Sequence, residues 1–182
     1  KRRNLMSSRK HSKKQKYSIL LFVFFISLVF TNSIIANAFA KNSYPLTYPS
    51  STGVYCSSTK YSSQIISYAK KWNIPNSGLY LYNTNNINVA SIKVSISSED
   101  KGLYGLCTSY SKDNKSIVFY KIWQNASELV KKETIVHEFG HAVGLAHTQP
   151  SNNLISVMRE FNFNGKAYPL SDDKKGIAAI YK

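Results

Sequence analysis

Apolar positions fall into three patterns along the chain. Ile19 to Phe30 is apolar except for Ser27; residues 44 to 124 hold short apolar runs between Ser, Asn, Pro and Gly; beyond 125 the apolar residues recur at helical spacing. In the middle region Tyr61 to Trp72 carries Ile65, Ile66, Tyr68, Ala69 and Trp72, which predicts a helix, and Pro75 and Gly78 then break the chain. Leu79 to Tyr82, Ile92-x-Val94-x-Ile96, Tyr104 to Tyr110 and Ile117 to Trp123 read as strands, the second with strict alternation. A strand ahead of the helix is supplied by either Tyr44 to Tyr48 or Gly53 to Ser57. Asn125-Ala-Ser-Glu128 has the layout of a capping box with Asn125 as the cap, opening a helix that runs to about Val143. On that helix Leu129, Val136, Phe139 and Val143 form a stripe for the core, and Val130, Thr134, His137 and His141 form a second stripe left for chemistry. No internal repeat is visible, and the pattern predicts one α+β domain.

Composition narrows the class. Of 182 residues 43% are hydrophobic, 13% aromatic and 18% charged, enough to bury an ordinary core and unlike a disordered chain. The net charge of +15 is unevenly placed, because eight of the 24 basic residues precede residue 17; after residue 40 there are 16 basic against nine acidic residues, or +7. The basic stretch, the apolar run and the small-residue sequence Ala38-Phe39-Ala40 follow the order of an export signal. Residues 1–40 are therefore expected to be a signal peptide and 41–182 the working domain, secreted or associated with the cell envelope. An uncleaved anchor fits less well, since a span needs about 20 predominantly apolar residues and Thr31, Asn32, Ser33 and Asn37 interrupt this one. The first residue is Lys1, which makes Met6 a candidate initiator. Membrane contact is expected only through the signal. No nucleic-acid motif accompanies the +7 charge, so no nucleic-acid partner is expected, and a monomer is. Cys56 and Cys107 form either one disulfide, closing a loop of about 50 residues and worth about 3–4 kcal/mol, or two unpaired thiols.

The chemistry is concentrated in residues 137–147, His-Glu-Phe-Gly-His-Ala-Val-Gly-Leu-Ala-His. His137 and His141, one helical turn apart, project to one side at a separation that a zinc ion can bridge. Gly144 can take a positive φ, end the helix and swing His147 round as third ligand. Three ligands leave one position for a water whose pKa zinc lowers to around 7, and Glu138 is placed to take its proton as general base. The chain has four histidines; His11 lies in the expected signal and the other three all fall in this motif. The reading is a zinc-dependent endopeptidase acting on a protein or peptide. The other class compatible with the motif is a zinc-binding interaction module or toxin component without turnover, which would have no need of Glu138.

The extended His-Glu-x-x-His-x-x-Gly-x-x-His sequence resembles that of the metzincin zinc peptidases, and Phe139-Gly140 with Ala142-Val143-Gly144-Leu145 resembles the matrixin branch. That resemblance implies a twisted mixed sheet with two main helices and a small C-terminal subdomain carrying a terminal helix. It implies a Met-turn beneath the zinc at Ser156-Val157-Met158, eleven residues after His147, and a last helix over Leu170 to Tyr181 with Ser171 as its cap. By the same resemblance Tyr104 to Tyr110 lines the upper rim of the cleft, and residues 159 to 169 shape the pocket beside the zinc. Three departures stand out. No histidine is left for a second, structural zinc; Val-Tyr-Cys-Ser-Ser around Cys56 does not match a latency switch; and Arg159-Glu160-Phe161 lacks the Pro and Tyr usual after the Met-turn. Ser98-Glu99-Asp100 and Asp113-Asn114 are either calcium ligands or solvated turns.

Overall fold

The computed structural model describes residues 40–148 and 154–182, so the expected signal segment lies, except for Ala40, outside the described residues. The elements in order are β1 (Ala40–Lys41), β2 (Thr52–Cys56), α1 (Ser62–Ala69), β3 (Leu81–Asn83), β4 (Ile92–Ile96), β5 (Gly105–Ser111), β6 (Asn114–Phe119), α2 (Lys121–Gln124), α3 (Glu128–Ala142), β7 (Leu145–Ala146) and α4 (Ser171–Tyr181). A 3₁₀ turn, Lys70–Trp72, continues α1 to the expected end. Of the two candidates for the first strand, Gly53 to Ser57 is the one that pairs.

Five strands form a mixed sheet in the order β3-β2-β4-β6-β5, parallel throughout except that β5 runs antiparallel to β6 and forms the edge. Alternation fixes which face is buried. Val54, Ile92, Val94, Ile117 and Phe119 share one side and are buried. Against them pack Ile65, Ile66, Ala69 and Trp72 at the α1 end and Ile135, Val136, Phe139 and Ala142 from α3, so both main helices cover the same face. Trp72, fully buried, donates its indole N–H to the Val136 carbonyl at 2.9 Å and ties the end of α1 to the middle of α3. Among the described residues no helix is long and apolar enough to cross a membrane.

Several expectations are corrected. The strand predicted over Ile117 to Trp123 ends at Phe119, and Trp123 lies in α2, where its buried ring stacks on Phe119 with centroids 4.6 Å apart. Aromatic packing, not strand pairing, makes that segment apolar. The cap of α3 is Ser127, whose hydroxyl accepts the Val130 N–H, while Asn125 closes α2; Glu128 turns outward to Gln64 and Lys131. Leu129 is 51% exposed and does not join the core stripe. In α4 the residue before the helix is Leu170, and the reach-back comes from Asp173, whose Oδ2 accepts the Leu170 N–H at 2.7 Å; Ser171 is the first helical residue.

The disulfide option is excluded by register. Cys56 stands opposite Val94, Val94 opposite Ile117 and Ile117 opposite Cys107, so the cysteines occupy the two ends of one row across four strands. Three strand spacings put them roughly 14 Å apart, twice the longest Cα separation a disulfide spans. Both are free thiols.

Candidate active site

α3 delivers His137 and His141 on its cleft-facing side, and Gly144 ends the helix with φ +102°, a conformation that costs a Cβ-bearing residue dearly. The chain then turns through β7, whose pairing with β1 (Lys41 opposite Leu145) fixes the segment that presents His147. Asn42 secures the same turn by donating its side-chain N–H to the His141 carbonyl at 2.7 Å.

The three Nε2 atoms converge: His141 to His137 at 3.1 Å, His141 to His147 at 3.1 Å and His137 to His147 at 3.3 Å. Three corners of a tetrahedron around an ion with bonds of 2.0–2.1 Å are about 3.3 Å apart, so the group fits such an ion with little adjustment. The opposite nitrogens of His137 and His141 are committed elsewhere. His137 Nδ1 lies 2.8 Å from the Val157 carbonyl and His141 Nδ1 lies 2.9 Å from the Leu145 carbonyl. A carbonyl can only accept, so both Nδ1 atoms carry the proton and both Nε2 lone pairs point into the cluster. Burial, aided by the neighbouring imidazoles, pushes His137 down to about 3 and His141 down to about 4, which keeps the rings neutral and able to bind a cation. Among the described residues this is the one group of three or more His, Cys, Asp or Glu side chains placed to hold a metal ion.

Glu138 is 7% exposed and faces the same cleft. Burial raises its carboxyl to about 7, opposed by a hydrogen bond from the backbone N–H of Cys107 on β5. Gly105 on that strand leaves the room: a methyl there would stand 2.9 Å from Glu138 Cγ. The cleft, about 780 Å³, runs between the β5 rim (Leu103 to Cys107) and the segment Arg159 to Phe163, as the resemblance implied for both walls.

Below the histidines lies Ser156-Val157-Met158. Met158 is 1% exposed, and Gly140 is bare where its sulfur and the Trp72 ring press in. Asp173 holds this turn in place, accepting the Ser156 hydroxyl at 2.5 Å and the Val157 N–H at 2.9 Å. The calcium candidates are otherwise engaged: Glu99 pairs with Lys101, Asp100 accepts from Gly102 and Asp113 from Thr47.

Two residues escaped the sequence reading. Asp173 is one, because its partners are reached only through tertiary folding. Glu133, four residues before His137 and so on the same helical face, had a signal that periodicity could have caught. It is 2% exposed and its two oxygens accept the N–H groups of Asn164 and Gly165 at 2.7 and 2.9 Å.

A buried carboxyl beside three converging imidazoles, under an open sheet edge, is the hydrolytic arrangement of a zinc metalloendopeptidase, and the chain is one. It belongs to the matrixin family, whose model (Peptidase_M10) matches residues 71–182. Its fold is similar to a chain of the ECX AB5 holotoxin in GM1-bound form, at 12% identity and a TM-score of 0.59 over 80% of this chain and 89% of that one. Two structures of myroilysin are similar at 15% identity and TM-score 0.57 (79% of this chain, 98% of that) and at 18% and 0.54 (77% and 86%). At such identities the likeness is one of fold. No curated protein matches the chain.

Proposed function

We propose that this chain is a secreted endopeptidase in which His137, His141 and His147 hold one catalytic zinc ion and Glu138 is the general base. The observation that carries the reading is the convergence of three Nε2 atoms within 3.1–3.3 Å of one another in the cleft that Glu138 lines. Zinc in that position would lower the pKa of a water and polarise a peptide carbonyl. Glu138 takes the proton and passes it to the departing amine. β5 is a sheet edge along the cleft, and an extended peptide laid against it gains main-chain hydrogen bonds and is positioned for attack. Gly144 and Met158 support the ligands, the first by the turn it permits and the second by the floor it forms. Export rests on the charged, apolar and small-residue order of residues 1–40. Zinc is the one metal this chemistry requires.

A zinc-holding module or toxin component without turnover is the second reading, favoured by the fold shared with a chain of an AB5 holotoxin. Glu138 speaks against it, because a buried carboxylate costs stability and metal binding alone does not call for it. Glu138→Ala and His141→Ala separate the readings. The first should retain one zinc per chain and lose at least about 10²-fold in peptide hydrolysis; the second should lose metal and activity together. Equal turnover by Glu138→Ala and wild type would sink the mechanism, and wild type that binds zinc but cleaves nothing in a broad peptide library would favour the module.

A further inference from the structure

Glu133 has no part in the chemistry just described, yet it is buried, acidic and one turn from His137. Its carboxylate accepts the consecutive backbone N–H groups of Asn164 and Gly165, with the Lys166 N–H and the Arg159 charge also beside it. These two residues close the segment Arg159 to Phe163, which forms the wall of the cleft opposite β5. The same end of the segment is held by Asn164, whose side-chain N–H donates to the Ser156 carbonyl at 3.0 Å. Asn162 and Gly165 adopt left-handed backbone, with φ of 59° and 75°, which turns the chain within the segment and again at its clamped end. Next to the clamped residues Phe163 meets Tyr104 of the β5 side edge to face, with centroids 5.6 Å apart, so the two walls touch there. Leu103, Tyr104, Phe161 and Phe163 all line this space and remain 37–70% exposed, an apolar surface collected at the cleft mouth.

We infer that Glu133 is a positioning residue for substrate discrimination: by clamping Asn164 and Gly165 it sets the distance of the aromatic segment from β5, and with it the cleft's preference for a bulky apolar side chain beside the scissile bond. The inference rests on the peptidase reading of the site. A carboxylate suits the clamp because two N–H donors need two acceptors; the amide of Gln offers one acceptor and turns a donor toward the second N–H. The effect falls on which peptide is taken, since Glu133 touches the wall and not the reacting atoms.

The test uses wild type, Glu133→Gln and Phe163→Ala with two quenched-fluorescent peptides identical except for Phe or Ala flanking the scissile bond. Wild type is expected to favour the Phe peptide in kcat/KM by about tenfold or more, and both variants to reduce that ratio severalfold. The ratio is independent of how much protein is correctly folded, so mere destabilisation does not move it. Hydrogen exchange at the amides of Asn164 and Gly165 supplies a readout without catalysis, expected to be about five- to tenfold faster in Glu133→Gln. A wild type without preference, or a ratio unchanged in Glu133→Gln, overturns the inference. No cleavage of either peptide by wild type strikes the peptidase reading instead, and unchanged exchange at 164 and 165 then overturns the clamp on its own.

Discussion

Asp173 reaches His137 through a single residue. Its Oδ2 accepts the Val157 N–H at 2.9 Å, and the Val157 carbonyl accepts His137 Nδ1–H at 2.8 Å, so a carboxylate on the last helix orients an imidazole on the third. The Val157 N–H and carbonyl lie in successive peptide units, each planar, and the second is also held by its Met158 N–H, which donates to the Ser156 hydroxyl oxygen at 2.9 Å, so the turn carries the orientation from one to the other. Outer partners of this kind typically govern metal affinity by 10- to 100-fold. Asp173→Asn, which loses one acceptor, should weaken zinc binding within about that range, measured by chelator competition. Asp172→Asn, one residue away and outside the relay, should leave it unchanged. Equal zinc affinity in Asp173→Asn and wild type would dismiss the relay.

Gly105→Ala should slow hydrolysis without releasing metal. The added methyl would stand 2.9 Å from Glu138 Cγ and 3.1 Å from its Oε1, and displacing a reacting group by about 1 Å can cost on the order of 10²-fold. Zinc content by atomic absorption and kcat on one peptide decide it; undiminished kcat would mean that Glu138 has more freedom than its packing shows.

Activity should fall on acidification while His137 and His141 stay neutral. Burial raises Glu138 to about 7, and a cation beside it would draw that value down, so the base form is lost as pH falls from about 7 toward 5. His137 and His141 are displaced the other way, to about 3 and about 4, and stay neutral throughout that window. A kcat/KM profile from pH 8 to 5 should therefore show an acid limb set by one carboxyl, with bound zinc measured in parallel. Metal lost together with activity above pH 5 would place the acid limb at the ligands and overturn its assignment to Glu138.

The unfolded, unreduced protein should titrate two thiols per chain, and a reductant should leave the melting temperature of the native protein unchanged. Cys107 should also alkylate slowly in the native state, because burial and the nearby Glu138 push its thiol up to about 12. A mass two units low for residues 56–107 under non-reducing conditions would contradict the register that separates the cysteines.

Much of this protein was written locally. The two histidines on α3 need only helical periodicity to share a side, Gly144 needs only its missing Cβ to end the helix, and alternation in Ile92-x-Val94-x-Ile96 needs only the two-residue repeat of a strand. Those facts depend on neighbours within a turn or two, and they were enough to identify the motif and the fold class. Tertiary structure alone decided the rest. Whether Cys56 could meet Cys107 depended on a strand order that no local pattern encodes. Trp123 read as strand because its apolar character serves a stack on Phe119 in either conformation. Asp173 and Glu133 acquire their roles only when α4 and the segment after Met158 pack against the rest, bringing backbone N–H groups to them from 16 and 31 residues away. Hydrogen bonds over such separations are set by how the chain packs, and only the folded molecule shows which carboxylates it buried and what it gave them to hold.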